Sequence, residues 1–263
     1  MQKSPNQPAE TAAYAPIPPV PWNGWLGAGF IILIFYITQF VSSFLLIVYP
    51  LIRHWSNAQT TNWLNNSVPV QFIFFLLTDA MVLGAIYLFL KAHKVSWRAI
   101  ALRRPRWRDP LFGAIAWVVY YIVFQILVLV LSKLIPALNV NQKQDIGFNN
   151  VHGLPELTMT FASLVLLPPL TEELMVRGFL YGSLKKIMPL TGAVILTSLL
   201  FASAHLDEGG AAGPLYIAAI DTFLLSLALI YLREKTNSLW ASMSLHAIKN
   251  GVAFVALFIF MPR

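Results

Sequence analysis

The stretch LLPPLTEELMVRGFLYGSL, residues 166–184, decides how this chain is read. It sets two adjacent carboxylates and a guanidinium, Glu172, Glu173 and Arg177, in an oily run that also carries Pro168 and Pro169. Ionisable groups at membrane depth are costly unless paired or wetted, so each is a functional candidate by default. Whether the run is such a segment depends on its surroundings. The 263 residues are 57% hydrophobic and 11% charged, where soluble domains carry roughly a quarter charged residues. Apolar runs of spanning length recur on both sides of the stretch, and a helix is the form in which one segment satisfies its own backbone in lipid. The chain reads as an integral membrane protein.

Helices are expected at about 25–50, 70–91, 110–135, 156–187, 190–206, 213–232 and 239–260. That gives an all-α polytopic bundle of seven spans around a hydrophilic cavity. An eighth is left open, because Pro168 and Pro169 remove backbone donors and favour two pieces in the fourth run. Residues 1–22, with six prolines and two charges, read as a disordered cytoplasmic tail, and residues 23–263 as the transmembrane domain. No secretory signal and no internal repeat is visible.

The net charge of +7 belongs to loops beside apolar spans, which argues against nucleic acid and for the positive-inside rule. The loop KAHKVSWRAIALRRPRWRDP, residues 91–110, holds Lys91, Lys94, Arg98, Arg103, Arg104, Arg106 and Arg108 and is placed in the cytoplasm. Seven spans then leave twelve Lys and Arg inside and four outside, with Arg177 and Lys249 within spans. This cluster serves topology and attraction to anionic lipid. The absence of cysteine rules out a thiol nucleophile and disulfides.

Spacing organises the polar groups within the spans. Glu173 and Arg177, at i and i+4, share a helix face in the favourable acid-first order and pair. Glu172 lies about 100° round the helix and is the less neutralised carboxylate. His205 closes FASAH near the end of the fifth span, and HAIKN sets His246 and Asn250 one turn apart in the seventh. Two histidines, an amide and a carboxylate that converge between helices can hydrolyse a carbonyl compound. The carboxylate takes a proton from water, and histidine and amide donors hold the oxyanion.

At these residues the sequence resembles the CPBP intramembrane protease family, which includes type II CAAX prenyl endopeptidases and bacteriocin-processing and abortive-infection proteins. Its signatures Glu-Glu-x-x-x-Arg, Phe-x-x-x-His and His-x-x-x-Asn occur in order as Glu172, Glu173 and Arg177, then Phe201 and His205, then His246 and Asn250. The resemblance covers about residues 155–255. It implies an endopeptidase of the cell membrane that cuts a membrane-associated or lipidated protein or peptide. Glu172 would activate water with help from His205, and His246 and Asn250 would form the oxyanion hole. Glu173 and Arg177 would support the site. A Glu with two His can also bind zinc, but no His-Glu-x-x-His run is present and the resemblance implies a site without cofactor. A non-enzymatic immunity or regulatory protein that holds a peptide in the same cavity is the alternative. A transporter using Asp79 and Asp221 is a third reading, and it lacks visible repeats or paired broken helices.

Other polar residues have plainer readings. Asp79 and Asp221 are expected to pair with donors on neighbouring helices. Trp22, Trp25 and Trp240 read as interfacial anchors, His54 and His93 as solvated loop residues, and Asp207 and Glu208 as part of a glycine-rich turn. Lys249, inside the third signature, departs from the plain motif. One conflict stands: seven spans put His205 toward the outer side, whereas the CAAX resemblance implies a cavity open to the cytoplasm. An eighth crossing would reconcile the two.

Overall fold

The computed structural model describes residues 16–142, 146–206 and 213–260. In chain order its helices are α1 (Gly24–Ile52), α2 (Asn57–Asn66), α3 (Val68–Ala92), α4 (Arg108–Leu134), α5 (Gly153–Ile187), α6 (Leu190–Ser203), α7 (Tyr216–Thr236) and α8 (Trp240–Phe260), with a 3₁₀ turn at Trp97–Ile100. Among the described residues there is no strand, and the chain is a polytopic helical bundle. Six helices, all but α2 and α6, are long and apolar enough to cross a membrane. The seven expected spans correspond to α1 and α3 through α8, with α6 the short one.

Helix α2 was not expected, because NAQTTNWLNN has no apolar run. It is held by a capping box in which Gln59 N donates to Ser56 Oγ at 3.3 Å and Ser56 N donates to Gln59 Oε1 at 2.9 Å. Its Trp63 packs with Tyr49 and Trp55 at one end of the bundle.

Helix α5 corrects the expected break. It runs 35 residues without interruption, so the eighth crossing does not form there. A wide π turn at Ala162–Leu166 precedes the prolines, and a second follows at Glu173–Leu180. Turns of this kind occur as bulges in helices and are common at functional sites.

The bundle has two unlike ends. At one, Trp22 stacks on Phe179 with centroids 5.0 Å apart and donates Nε1–H to Ser183 Oγ at 3.0 Å. Lys186 holds the carbonyls of Val20 and Trp22 at 2.9 and 2.5 Å. Leu239 N donates to Ala101 O at 3.2 Å, and Trp240 Nε1 to Arg103 O at 2.6 Å. Gly178 packs flat on this loop: a Cβ there would stand 2.9 Å from Ile100 O. This end therefore gathers the start of α1, the basic loop, the end of α5 and the α7–α8 connection. At the other end, Gln142 bonds Pro214 O and Ile217 N at 3.0 and 3.2 Å, and Phe148 N reaches Gln71 Oε1 at 2.7 Å.

Two surface expectations are corrected here. Trp22 is only 2% exposed and Val20 4%, so the last residues of the expected tail are core, and Trp22 is a packing residue rather than an interfacial anchor. Residues 1–15 of that tail lie outside the described residues. Trp25, 66% exposed, fits the anchor reading. His93 stacks on Phe89 at 4.2 Å instead of standing free in solvent.

Candidate active site

Three helices bring the three signatures together. The helical pairing of Glu173 and Arg177 forms as their spacing demands: Arg177 Nη1 donates to Glu173 Oε1 at 2.9 Å, and both side chains are fully buried. The same Oε1 also accepts from His246 Nδ1 on α8 at 3.1 Å. This bond fixes the imidazole, because a proton on Nδ1 leaves Nε2 pointing away from Glu173. Nε2 stands 3.9 Å from Glu172 Oε2. That gap is too long for a direct hydrogen bond, and it matches the span that one water set to one side, about 2.8 Å from each atom, would bridge.

The two adjacent carboxylates therefore differ by surroundings. Glu173 lies under the imidazole and the guanidinium with no exposure, while the Glu172 side chain is 28% exposed.

Phe201 explains why an aromatic residue opens the second signature. Its ring carries the Arg177 guanidinium 4.0 Å above the centroid, a cation–π contact worth about 2 kcal/mol when desolvated. That contact matters because Nε and Nη2 of Arg177 are buried without hydrogen-bond partners among the described residues. The same ring meets His205 edge-on at 4.9 Å and His246 at 6.4 Å. His205 Nδ1 donates to Phe201 O at 2.8 Å, one turn back. A carbonyl only accepts, so the neutral ring presents Nε2 as its proton acceptor.

Asn250 is tied to the proline pair. In an α-helix Leu164 O would accept from residue 168, and in a π turn from residue 169; both are proline and have no N–H. Asn250 Nδ2 fills the vacancy, donating to Leu164 O at 2.9 Å. One amide hydrogen is thus spent on the scaffold and the second remains for other work. No sequence signal connects these residues, which lie 86 positions apart.

Lys249 points to Asp221 on α7, Nζ to Oδ2 at 3.0 Å, and Tyr120 on α4 donates to the other carboxylate oxygen. Asp221 thus finds donors on neighbouring helices, as expected, though the identity of Lys249 as one of them was not read. Asp79 on α3 faces Thr171, the residue before Glu172. Asp207 and Glu208 lie outside the described residues. Among the described residues no group of three or more His, Asp or Glu side chains is spaced to hold a metal ion.

A search of curated proteins gave no match, and neither did a search of solved structures. A family model does match: residues 154–252, which contain all three signatures, fit the type II CAAX prenyl endopeptidase Rce1-like family. Over those residues the chain is similar to this protease family, the one its signatures resemble.

Proposed function

We propose that the chain is an intramembrane endopeptidase in which Glu172 activates the hydrolytic water. The supporting observation is the division between adjacent carboxylates, one neutralised inside the scaffold and one half-open and facing His246 Nε2. Glu172 takes a proton from water as the oxygen adds to the scissile carbonyl, and His205 Nε2 assists as acceptor. The carbonyl oxygen becomes an oxyanion, held by the second amide hydrogen of Asn250 and by His246. For His246 to donate from Nε2 it must carry protons on both nitrogens, and Glu173 against Nδ1 is the group that stabilises that cation. Collapse breaks the C–N bond, and Glu172 returns its proton to the leaving amine. Water has then been added across one peptide bond with no group left on the protein.

The substrate class is a peptide bond in a membrane-associated or lipidated protein. The proposed site uses no metal ion, and the test measures metal directly. The test compares peptide release from membrane-protein and lipidated-peptide libraries by wild type and by Glu172→Gln, with metal content measured on the same samples. Cleavage by the wild type alone without stoichiometric zinc supports the reading. Equal cleavage by both sinks it, and peptide binding without cleavage by either favours the immunity or regulatory alternative.

A further inference from the structure

Lys249 is where this chain departs from the plain third signature, and the proposed mechanism gives it no role. On α8 it stands three residues after His246 and one before Asn250. At about 100° per residue, Asn250 lies about 40° to one side of His246 and Lys249 about 60° to the other. His246 and Asn250 turn to α5, where they meet Glu173 Oε1 at 3.1 Å and Leu164 O at 2.9 Å. Lys249 turns instead toward α7.

A chain of contacts that starts in packed core holds it there. Tyr120 of α4 is 5% exposed and belongs to a cluster with Leu225 and Leu229 of α7 and Leu245 of α8. Its hydroxyl donates to Asp221 Oδ1, which leaves Oδ2 for Lys249 Nζ at 3.0 Å. A lysine ammonium is a point charge on a flexible four-carbon stem. The carboxylate fixed by Tyr120 therefore sets where that charge rests.

Its resting place matters for the chemistry. The ionisable groups facing His246 are Glu172, Glu173 and Arg177 from α5, His205 from α6 and Lys249 on its own helix. Asp221 of α7 and Tyr120 of α4 lie behind Lys249. Arg177 is matched by Glu173 and by the Phe201 ring, so Lys249 is the other cation of this set. Residues three apart on a helix are neighbours, with about 5–6 Å between their Cβ atoms, and the Lys249 charge reaches both imidazoles. In the proposed reaction His246 holds a second proton and Glu172 takes one from water. An unmatched cation beside them opposes both events, so a lysine at this place needs an anion of its own.

We infer that Asp221, oriented by Tyr120, is a positioning residue of the site: it draws Lys249 toward α7 and matches its charge, so that His246 can hold its second proton and Glu172 can act as base. This role rests on the protease reading.

The test measures kcat and KM for peptide release by the wild type, by Asp221→Asn and by the double variant Asp221→Asn with Lys249→Met, with a melting scan of each. Asp221→Asn keeps the shape and leaves Lys249 unmatched. Its kcat should fall by about 10–100-fold with KM unchanged, the factor expected for a unit charge about 6 Å away at an effective dielectric constant of about 20. Methionine has a flexible unbranched stem with no charge and no donor, so it cannot rebuild a bond to α7. The double variant should nevertheless return kcat to the wild-type range, and it decides the question even where the single variant melts below the assay temperature. A double variant as slow as Asp221→Asn shows that the contact is only a brace and overturns the inference, as does an Asp221→Asn protein with wild-type kcat. Both results require a wild type that cleaves; a wild type that releases no peptide removes the protease reading, and the role of Asp221 falls with it.

Discussion

The two halves of α5 share one helix and behave as different materials. From Glu173 to Leu184 every residue is buried, and the charged pair in that half is enclosed by protein atoms. From Ser163 to Glu172 burial alternates with exposure, two prolines withhold donors, and a side chain from α8 repairs the backbone. Adjacent glutamates fall on either side of this boundary. On the proposed mechanism, identical chemistry is thereby sorted into a positioning role and a reactive one by one step of the helix.

The largest effect expected from that division is on rate. Glu172→Gln keeps shape and removes the base, so peptide release should fall by about 10²–10⁴-fold, with the melting temperature unchanged in a thermal scan. Glu173→Gln should act on the fold instead. It leaves Arg177 buried without its anion, a loss of about 3–5 kcal/mol for a broken buried pair, read as a lower melting temperature along with lost activity. Asn250→Ala sits at the boundary and should show both effects: Leu164 O is orphaned at about 1–3 kcal/mol, and the oxyanion donor of the proposed mechanism is removed. Gly178→Ala in the sealed half should cost about 1–3 kcal/mol of stability by overpacking, because its Cβ would meet Ile100 O at 2.9 Å. An equal loss of rate at saturating substrate would show that the sealed half is not merely scaffold.

Hydrophobic run length carried the fold in the sequence, since each long apolar segment became a helix within a few residues. What escaped that reading depended on tertiary partners. The proline rule favoured a broken span, and α5 stays whole because a π turn takes up the prolines and Asn250 supplies the missing donor. Trp22 looked like a surface anchor, yet the end of α5 offers Phe179 and Ser183 to bury it. In the site, the pairing of Glu173 with Arg177 was legible because it is local. The bond from His246 to Glu173 joins residues 73 positions apart, and the Lys249 to Asp221 contact also crosses helices, so neither was. Spacing already marked Glu172 as the less neutralised carboxylate, and packing added the difference in exposure.

The most direct test of this account measures peptide-release rate and melting temperature on the same purified samples of wild type, Glu172→Gln and Glu173→Gln. The account predicts that Glu172→Gln melts like the wild type and does not cleave, while Glu173→Gln melts lower. A Glu172→Gln protein that still cleaves, or a Glu173→Gln protein as stable and active as the wild type, would contradict it.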